Sequence, residues 1–357
     1  MQDKTTESLL GALAKLAPGT ALRDGLERIL RGETGALLVL GHNAAVGEMS
    51  SSGFSIDEEF TPQRLSELAK MDGAIIISEQ AERILRANVH LVPDPSIPTL
   101  ESGTRHRTAD RVARQCGFPV VAVSQSMRTV TVYLESDKRV LEDVTAVLAR
   151  ANQALQTLER YKQRLNEVSN NLLALEVEDL ATLRDAIMVV QRIEMVMRIA
   201  SEVDALVIEL GTEGRLMRLQ LDELIGGVDL DRKMLLRDHV ASRRSRSIDP
   251  ALKELSSLSP EELLDPIAIA KVLGYPATGE ALDAPSSPRG YRILSRIPRL
   301  PPTVVDRIVA AFGKLPKIMA ASTDDLLAVE GVGAARAALV KDGLVRLAES
   351  SILDRYL

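Results

Sequence analysis

The sequence predicts an α/β N-terminal domain, a mixed β-sheet flanked by helices, followed by an all-α middle domain and a C-terminal domain of two helical hairpins. Three observations carry this prediction. Short β-branched apolar runs recur within the first 140 residues, helical periodicity replaces them from about 139 to 225, and a Gly-Val-Gly turn separates two helical segments near the end. A chain of 357 residues exceeds the usual size of one undivided core, so two or three domains are expected.

The composition is that of an ordinary globular chain, with 45% hydrophobic and 26% charged residues. The formal net charge of -6 argues against a protein that coats nucleic acid through bulk charge. Because Cys116 is the single cysteine and only four histidines are present, an intramolecular disulfide is excluded and a Cys/His zinc site is not expected. With no signal-peptide pattern and no apolar run of membrane-spanning length, we expect a cytoplasmic protein.

The first domain is predicted to begin with two helices and to continue with buried strands. Amphipathic patterns predict the helices over about 5–16 and 20–31. Thr61 and Pro62, with Leu65 behind them, are typical of a further helix start. Short apolar runs bounded by Gly, Pro or Ser predict strands at 35–40, 74–77, 119–123 and 129–134.

The middle of the chain is predicted to be helical. Apolar residues at spacings of three and four between Val144 and Leu172 indicate long packed helices. Interruptions of this pattern at Lys162 and Ser169 argue against one continuous coiled coil. The stretch 274–290, rich in Pro, Ser and Ala, is loop-like and marks the last domain boundary. We therefore predict domains at 1–140, 141–287 and 288–357.

The C-terminal segment is predicted to bind a polyanion. Residues 289–357 hold 11 Lys or Arg against 7 Asp or Glu, whereas the first 288 residues carry a net -10. Gly331 and Gly333 allow a tight turn that leaves backbone N–H groups bare at the start of the next helix, where a phosphate can bind. Arg336 and Lys341 follow closely enough to flank that phosphate, so contact with DNA would be largely independent of sequence. The basic run at 242–247, with Arg243, Arg244 and Arg246, is an alternative contact.

Two segments of the first domain carry the predicted chemistry. Asp72 and Gly73 stand immediately before a buried strand, although Asp-Gly by itself is a common turn. Further on, Gly103–Thr108 reads Gly-Thr-Arg-His-Arg-Thr, and the apolar spacing after it starts a helix near Thr104. Positive side chains in a first turn oppose the helix macrodipole unless an anion sits there. This turn therefore predicts a phosphate or triphosphate site.

Together, Asp-Gly-Ala at 72–74 and Arg-His-Arg at 105–107 resemble the two signature motifs of the diadenylate cyclase domain. The Gly-Val-Gly turn resembles the helix-hairpin-helix of DNA-repair and junction-binding proteins. Residues 294–309 look like a degenerate first hairpin, with Pro-Arg-Leu-Pro in place of the glycine turn. Over essentially its whole length, the chain resembles the DNA-integrity-scanning diadenylate cyclases of bacteria, with both cyclase motifs intact.

That resemblance implies a nucleotidyltransferase that condenses two ATP into cyclic di-3′,5′-AMP with release of two diphosphates. It also implies Mg²⁺ or Mn²⁺ as the metal, an octameric assembly, and inhibition by branched or damaged DNA. Asp72 would activate the 3′-hydroxyl directly or by holding the metal, Gly73 would let the nucleotide approach the backbone, and Leu91 would contact the adenine. The phosphate-binding residues would be Thr104, Arg105, His106, Arg107 and Thr108, with Ser124 as a weaker candidate.

The product adds an expectation about assembly. Cyclic di-AMP has two equivalent linkages, so we expect two cyclase domains to face each other across a two-fold axis, each with its own ATP. Two other functions stay open: a non-enzymatic DNA-junction-binding protein that senses a nucleotide, and a nucleotidyltransferase that leaves linear products. The chain has neither a Gly-x-x-x-x-Gly-Lys-Ser/Thr loop nor a Gly-x-Gly-x-x-Gly fingerprint, so neither motif explains nucleotide binding.

Overall fold

The computed structural model describes residues 2–241 and 247–356, the side chains of 2–8 and 350–356 excepted. The chain forms two compact units, Met1–Gln153 with Val203–Leu219 and Ala154–Glu202 with Gln220–Leu357. Of the basic run at 242–247, residues 242–246 lie outside the described residues. The predicted domain boundaries at 140 and 287 stay predictions.

The strands lie in the first unit, interleaved with short helices. In chain order the elements are α1 Gln2–Lys15, α2 Ala21–Arg31, β1 Ala36–Leu40, α3 Ala44–Met49, β2 Ser50–Ser51, β3 Phe54–Glu59, α4 Pro62–Leu68, β4 Ala74–Ile77, β5 Arg83–Leu91, α5 Thr104–Cys116, β6 Val120–Ser124, β7 Thr129–Leu134 and β8 Asp137–Val140.

Helices make up the rest of the described chain. They are α6 Val144–Val177, α7 Leu183–Leu210, a 3-10 turn at Gly211–Gly214, α8 Arg215–Ile225, α9 Val228–His239, α10 Asp249–Ser257, α11 Pro260–Leu264, α12 Pro266–Val272, α13 Gly279–Leu282, α14 Tyr291–Ser295, α15 Pro302–Phe312, α16 Leu315–Ala320, α17 Thr323–Leu327 and α18 Ala334–Tyr356. Among the described residues, none of these helices combines the length and hydropathy that a membrane crossing requires.

The sheet is mixed. Its strand order is β2-β5-β4-β1-β6-β7-β8, and β3 also pairs with β5. Strands β1 and β4 run parallel, whereas β1 with β6, β4 with β5, β6 with β7 and β7 with β8 are antiparallel. The central strands therefore have hydrogen-bonded neighbours on both sides.

Helices cover both faces of this sheet. Leu38 and Ile75 belong to one buried cluster with residues of α1, α2 and α4. Val39 and Ile76 belong to the opposite cluster, with residues of α3 and α5. Because both faces are covered, β1, β4 and β6 are buried along their whole length and, except for Ser124 at the end of β6, are continuously apolar rather than alternating.

The predicted mixed sheet flanked by helices is confirmed, and each predicted strand is present. The helix start at Thr61 is also confirmed, because its side chain accepts from the Arg64 N–H and Pro62 is the first helical residue. Helix α6 continues through Lys162 and Ser169, so the interruptions in the apolar pattern do not interrupt the helix.

Strand β5 was not predicted from the sequence. Asn88 within it has a positive φ of 54°, and the register against β4 shifts between Ala74 and Ile76. Such a bulge inserts an unpaired residue and breaks the alternation by which a strand is recognised in a sequence.

Two hairpin turns near the C-terminus have the same backbone geometry. Arg299, between α14 and α15, has a φ of 65°, and Gly331, between α17 and α18, has a φ of 83°. After Arg299, the N–H of Leu300 donates to the carbonyl three residues back at 3.4 Å, and after Gly331, Val332 does the same at 3.0 Å. Leu300 and Val332 are both buried in the core shared by α14 to α18.

The helices that follow these turns also begin alike. Pro301 accepts the N–H groups of Val304 and Val305, and Gly333 accepts those of Arg336 and Ala337. The geometry of the hairpin turn and of the helix start after it is therefore repeated, with arginine and proline in the first copy where the second has glycine.

A buried polar cluster lies beside the first hairpin. The Arg292 guanidinium donates to Glu176, and His239 Nε2 lies 2.9 Å from the other carboxylate oxygen of Glu176. Asp238 accepts three backbone N–H groups at the start of α14, those of residues 290 to 292, at 2.7 to 2.8 Å. Although burial opposes ionisation, Arg292 and His239 hold the pKa of Glu176 below its ordinary value.

Candidate active site

The basic turn lies at the start of α5, where the sequence predicted it. Thr104 is the first helical residue, and Gly103 precedes it in an extended conformation. The helix ends where Gly117 adopts a φ of 72° and donates to the Ala113 carbonyl. Thr104 and Arg107 are exposed, whereas His106 and its neighbours 105 and 108 are partly buried. The first turn therefore offers cationic side chains at a helix N-terminus.

Arg105 faces the sheet. Its Nη1 lies 3.3 Å from the Val123 carbonyl oxygen, and its guanidinium occupies the space that a side chain at Gly35 would need. Arg105 and Ser124 line a cavity of about 570 Å³ with Glu33, Gln125, Ser126 and Arg128. The structure thus brings together two of the predicted phosphate-binding residues from separate elements.

The sheet register places further candidates at the same edge. Ala36 of β1 pairs with Val123 of β6, and Leu37 pairs with Ala74 of β4. Ala74 in turn pairs with Val89 of β5. The residues just beyond these pairs share one end of the sheet: Gly35, Asp72, Gly73, Leu91 and Ser124.

Asp72 is exposed in the turn before β4, which leaves its carboxylate open to solvent. Gly73 lies against the bulge in β5, and a Cβ there would sit 2.7 Å from the Cα and carbonyl carbon of Asn88. This close approach leaves no room for a side chain and explains why residue 73 is a glycine. The Leu91 side chain is 6% exposed and packs in the cluster with α3 and α5, so its predicted adenine contact stays a prediction.

The groups behind His106 were not predicted from the sequence. Its Nδ1 lies 2.8 Å from the hydroxyl of Tyr133, and the rings are edge to face. Tyr133 is in β7, the Lys138 ammonium lies 5.9 Å from the centre of its ring, and Lys138 pairs with Glu101 at 2.5 Å. The tyrosine in β7, whose sequence is Thr-Val-Thr-Val-Tyr-Leu, was the one local signal, because the contacts join residues far apart in the chain.

Burial is the main cause of the pKa shifts of His106 and Tyr133. It lowers the pKa of His106, Glu101 opposes this, and Lys138 and Arg105 lower the pKa further. Burial also raises the pKa of Tyr133 well above its ordinary value, with Glu101 acting in the same direction. In the free protein His106 is therefore predominantly neutral at pH 7, and Tyr133 keeps its proton.

A divalent metal fits the donors at this edge. No group of three or more His, Cys, Asp or Glu side chains that could enclose an ion occurs among the described residues. Mg²⁺ is commonly held by one or two carboxylates together with substrate phosphates rather than by an all-protein cage. The exposed carboxylate of Asp72, on the same sheet edge as the cavity beside Arg105, meets that requirement.

The C-terminal candidates sit at the second hairpin turn. Gly333 has open space around the position of a Cβ, and Arg336 donates to the Gly331 carbonyl at 2.7 Å. Arg307 also donates to this turn, at the Glu330 carbonyl. Lys341 donates to two carbonyls at the end of α16, so its ammonium is engaged within the fold and its predicted phosphate contact stays a prediction.

Two models of known protein families match the chain. The profile described as the DisA bacterial checkpoint controller nucleotide-binding domain matches residues 23–138, and that of the DisA bacterial checkpoint controller linker region matches 141–282. The chain is a diadenylate cyclase.

Full-length relatives identify the family. DNA integrity scanning protein DisA from Acidothermus cellulolyticus is 59% identical over 353 residues, covering 98% of this chain and 96% of the relative. The Streptomyces avermitilis protein of that name is 59% identical over 348 residues, covering 97% and 93%. The Kineococcus radiotolerans protein is 57% identical over 358 residues, covering 100% of both chains. The chain belongs to the DNA integrity scanning protein DisA family.

Proposed function

We propose that this sheet edge condenses two ATP into cyclic di-3′,5′-AMP with release of two diphosphates, in a protein that scans DNA for branched or damaged structures that inhibit the synthesis. The observation that carries the catalytic part is the shared sheet edge. This is supported by the sheet register, in which Asp72 before β4 and Ser124 at the end of β6 are at the same end of the sheet with β1 between them, and Arg105 reaches that end from α5. A carboxylate and cationic groups at the same end of one sheet are residue types that nucleotidyl transfer uses.

The chemistry assigns roles to these residues. A ribose hydroxyl is a poor nucleophile at neutral pH and the α-phosphate is anionic, so positioning and cationic groups supply most of the rate. Asp72 would orient the 3′-hydroxyl or hold the metal, and Mg²⁺ or Mn²⁺ when bound would neutralise phosphate charge. The triphosphate would lie at the start of α5 against Thr104, Arg105, His106, Arg107 and Thr108, with Ser124 beside it and Gly73 and Leu91 toward the nucleoside.

Assembly follows from the product. One Asp72 can align one hydroxyl, so closing both linkages calls for two cyclase domains face to face, each with its own ATP. Larger assembly as an octamer comes from the resemblance described above.

The repeated hairpins would form a double helix-hairpin-helix that binds DNA. Its second turn leaves Gly333 open beside Arg336, and its first turn presents Arg299 on matching backbone. Backbone N–H groups and arginines contact phosphate without reading bases, so branched structures would be recognised by shape.

The test is incubation of the purified chain with ATP and Mg²⁺ or Mn²⁺, with the products separated by chromatography. Cyclic di-AMP, lost in Asp72→Asn and reduced by a four-way DNA junction but not by the matched linear duplex, supports the proposal. Linear products would indicate a nucleotidyltransferase with a separate acceptor. ATP left intact, with junction binding retained, would indicate a nucleotide-sensing DNA-binding protein.

A further inference from the structure

Two polar residues, Lys162 and Ser169, interrupt the apolar stripe of α6. Their spacing is about two helical turns, so they lie on the same face of the helix. Both line a cavity of about 280 Å³ in the second unit. Pockets for drug-sized ligands usually measure roughly 300–1,000 Å³, so this volume suits a smaller occupant.

The lining of this cavity offers mostly hydrogen-bond donors. Its polar part consists of Lys162, Asn166, Ser169 and Asn170 from α6, Asp231 from α9, and Arg296 directly after α14. Ammonium, guanidinium, hydroxyl and amide groups all carry protons to donate, whereas the Asp231 carboxylate can only accept. Such a lining matches a ligand that is rich in acceptors.

The cavity has two cations for one carboxylate, which leaves a net positive charge. Arg296 Nη2 lies 3.6 Å from Asp231, beyond the roughly 2.7–2.9 Å of a hydrogen bond between charged groups. Lys162 has no hydrogen-bond or ion-pair partner in the described part of the chain. Burial lowers the pKa of the Lys162 ammonium, Asp231 opposes this, and Arg296 lowers it further. A bound anion would compensate both cations.

Ser169 adds a buried donor to these charges. It is 9% exposed, and its Oγ accepts from Arg292 Nη1 at 3.0 Å and from Arg296 Nη2 at 3.5 Å. A hydroxyl that accepts hydrogen bonds keeps its own proton for donation. Because Arg292 is neutralised by Glu176, it adds no charge to the balance of the cavity.

We propose that this cavity binds a small phosphate-type oxyanion, with inorganic phosphate as the occupant. The Lys162 ammonium and the Arg296 guanidinium would bind its oxygens, and the Ser169 hydroxyl would donate from α6. Such an ion would join α6 to the first hairpin, since Arg296 directly follows α14. The lining residues are all in the second unit, whereas those proposed to bind ATP are in the first. The inference therefore does not depend on the proposed function.

The experiment measures phosphate binding to the full chain. Inorganic phosphate is titrated by calorimetry into nucleotide-free protein, in a chloride buffer at constant ionic strength. Lys162→Met should lower the affinity by about tenfold or more, because it removes a charge-assisted bond. Asp231→Asn should raise the affinity by about threefold or more, because the carboxylate repels the anion. Arg164→Gln, in an exposed ion pair on the same helix, is the matched control and should bind phosphate as wild type does.

A second measurement shows that Lys162→Met is folded. Burial disfavours the charge of Lys162 when no anion is bound, and methionine is apolar and of similar length. In phosphate-free buffer the variant should therefore unfold at a temperature no lower than wild type. Phosphate stabilises folded proteins in general, so Arg164→Gln gives the baseline together with the specific effect. Added phosphate should raise the unfolding temperature less in Lys162→Met than in Arg164→Gln.

The contrary outcomes are equally specific. A wild-type chain that does not bind phosphate, or Lys162→Met with wild-type affinity, overturns the proposal. Phosphate binding that is kept in Lys162→Met but lost when Arg105 and Arg107 are both replaced by alanine places the ion at the start of α5, which overturns this site and supports the proposed function. If phosphate does not bind but a DNA junction binds Lys162→Met more weakly than wild type, the cations contact DNA and the small-ion site is overturned.

Discussion

Arg299 and Gly331 occupy equivalent positions in consecutive hairpin turns, with φ values of 65° and 83°. A left-handed backbone costs a non-glycine residue roughly 1–2 kcal/mol, so Arg299 is held there by the buried residues on either side of it. Ile297 and Leu300 supply that hold from the core of the C-terminal helices. The first hairpin therefore keeps the turn geometry of the second without its glycines, and it carries the Arg299 guanidinium instead.

Arg299→Gly is expected to change stability and DNA affinity in opposite directions. Glycine adopts this φ without the steric cost that arginine bears. The free energy of unfolding should therefore rise by about 1 kcal/mol, offset in part by the added chain entropy of glycine. Loss of the guanidinium should weaken junction binding and lower its salt slope by about one. Arg128→Gly is the matched control, because Arg128 also has a positive φ, 51°, and lies in the first unit. Unchanged junction affinity in Arg299→Gly would remove the first hairpin from the DNA contact.

Gly333→Glu tests the second hairpin without disturbing its core. A Cβ at Gly333 meets nothing within 4 Å, so the fold should be kept while a carboxylate faces the phosphate. Junction affinity should fall by about tenfold or more, measured as a function of salt. Gly279→Glu adds the same charge at another open position and should bind normally. Deleting the whole hairpin region is less informative, since it would leave Glu176 buried without Arg292.

Asp72→Asn should abolish synthesis and spare ATP binding, because the exposed carboxylate is replaced by a nearly isosteric amide. Mixing this variant with wild-type chains under conditions of subunit exchange should depress activity more than dilution does, since a mixed pair closes at most one linkage. Product formation is measured across mixing ratios. A loss strictly proportional to the fraction of Asp72→Asn chains would contradict the face-to-face arrangement.

Replacing Arg105 and Arg107 together by alanine should weaken ATP binding as well as turnover, because charge-assisted bonds to phosphate form in both the ground and the transition state. Because a hydrogen bond to a charged group contributes about 1.5–3 kcal/mol, we expect the affinity for a non-hydrolysable ATP analogue to fall by about tenfold or more. Arg111→Ala, later in the same helix, should leave it unchanged, since Arg111 donates to the Ile97 carbonyl. Normal affinity in the double variant would place the triphosphate elsewhere.

Glu176→Gln should lower the free energy of unfolding by about 3–5 kcal/mol, because it leaves the buried Arg292 guanidinium without its counter-charge. The pKa of Glu176 is held below its ordinary value, so its contribution is present above the unfolded-state pKa and is lost as the pH falls through the folded-state pKa. Denaturant unfolding between pH 7 and pH 3 should therefore show a weaker acid dependence in the variant. Glu167→Gln, in an exposed pair with Arg164, should change stability by less than about 1 kcal/mol.

Local sequence signals predicted the elements that local chemistry determines. Thr61 before Pro62 and the start of α5 at Thr104 were found because capping and apolar spacing are encoded within a few residues. The pairing of Tyr133 with His106 could not be found in this way, since separate elements bring the two together. Lys341 was assigned to DNA from its charge and its position after the glycine turn, whereas the carbonyls to which it donates become visible only when α16 and α18 pack.

The discontinuity of the first unit has a consequence for its synthesis. Residues Val203–Leu219 belong to the same unit as Met1–Gln153, and Thr212 donates its N–H to the Pro18 carbonyl at 3.0 Å, while Arg139 pairs with Glu209 at 3.3 Å. At about 5–20 residues per second, the ribosome needs roughly 3–13 seconds after Gln153 to reach Leu219. During that interval the nascent chain already contains every residue proposed to bind ATP, but the segment Val203–Leu219, which completes the first unit, has not yet been fully translated.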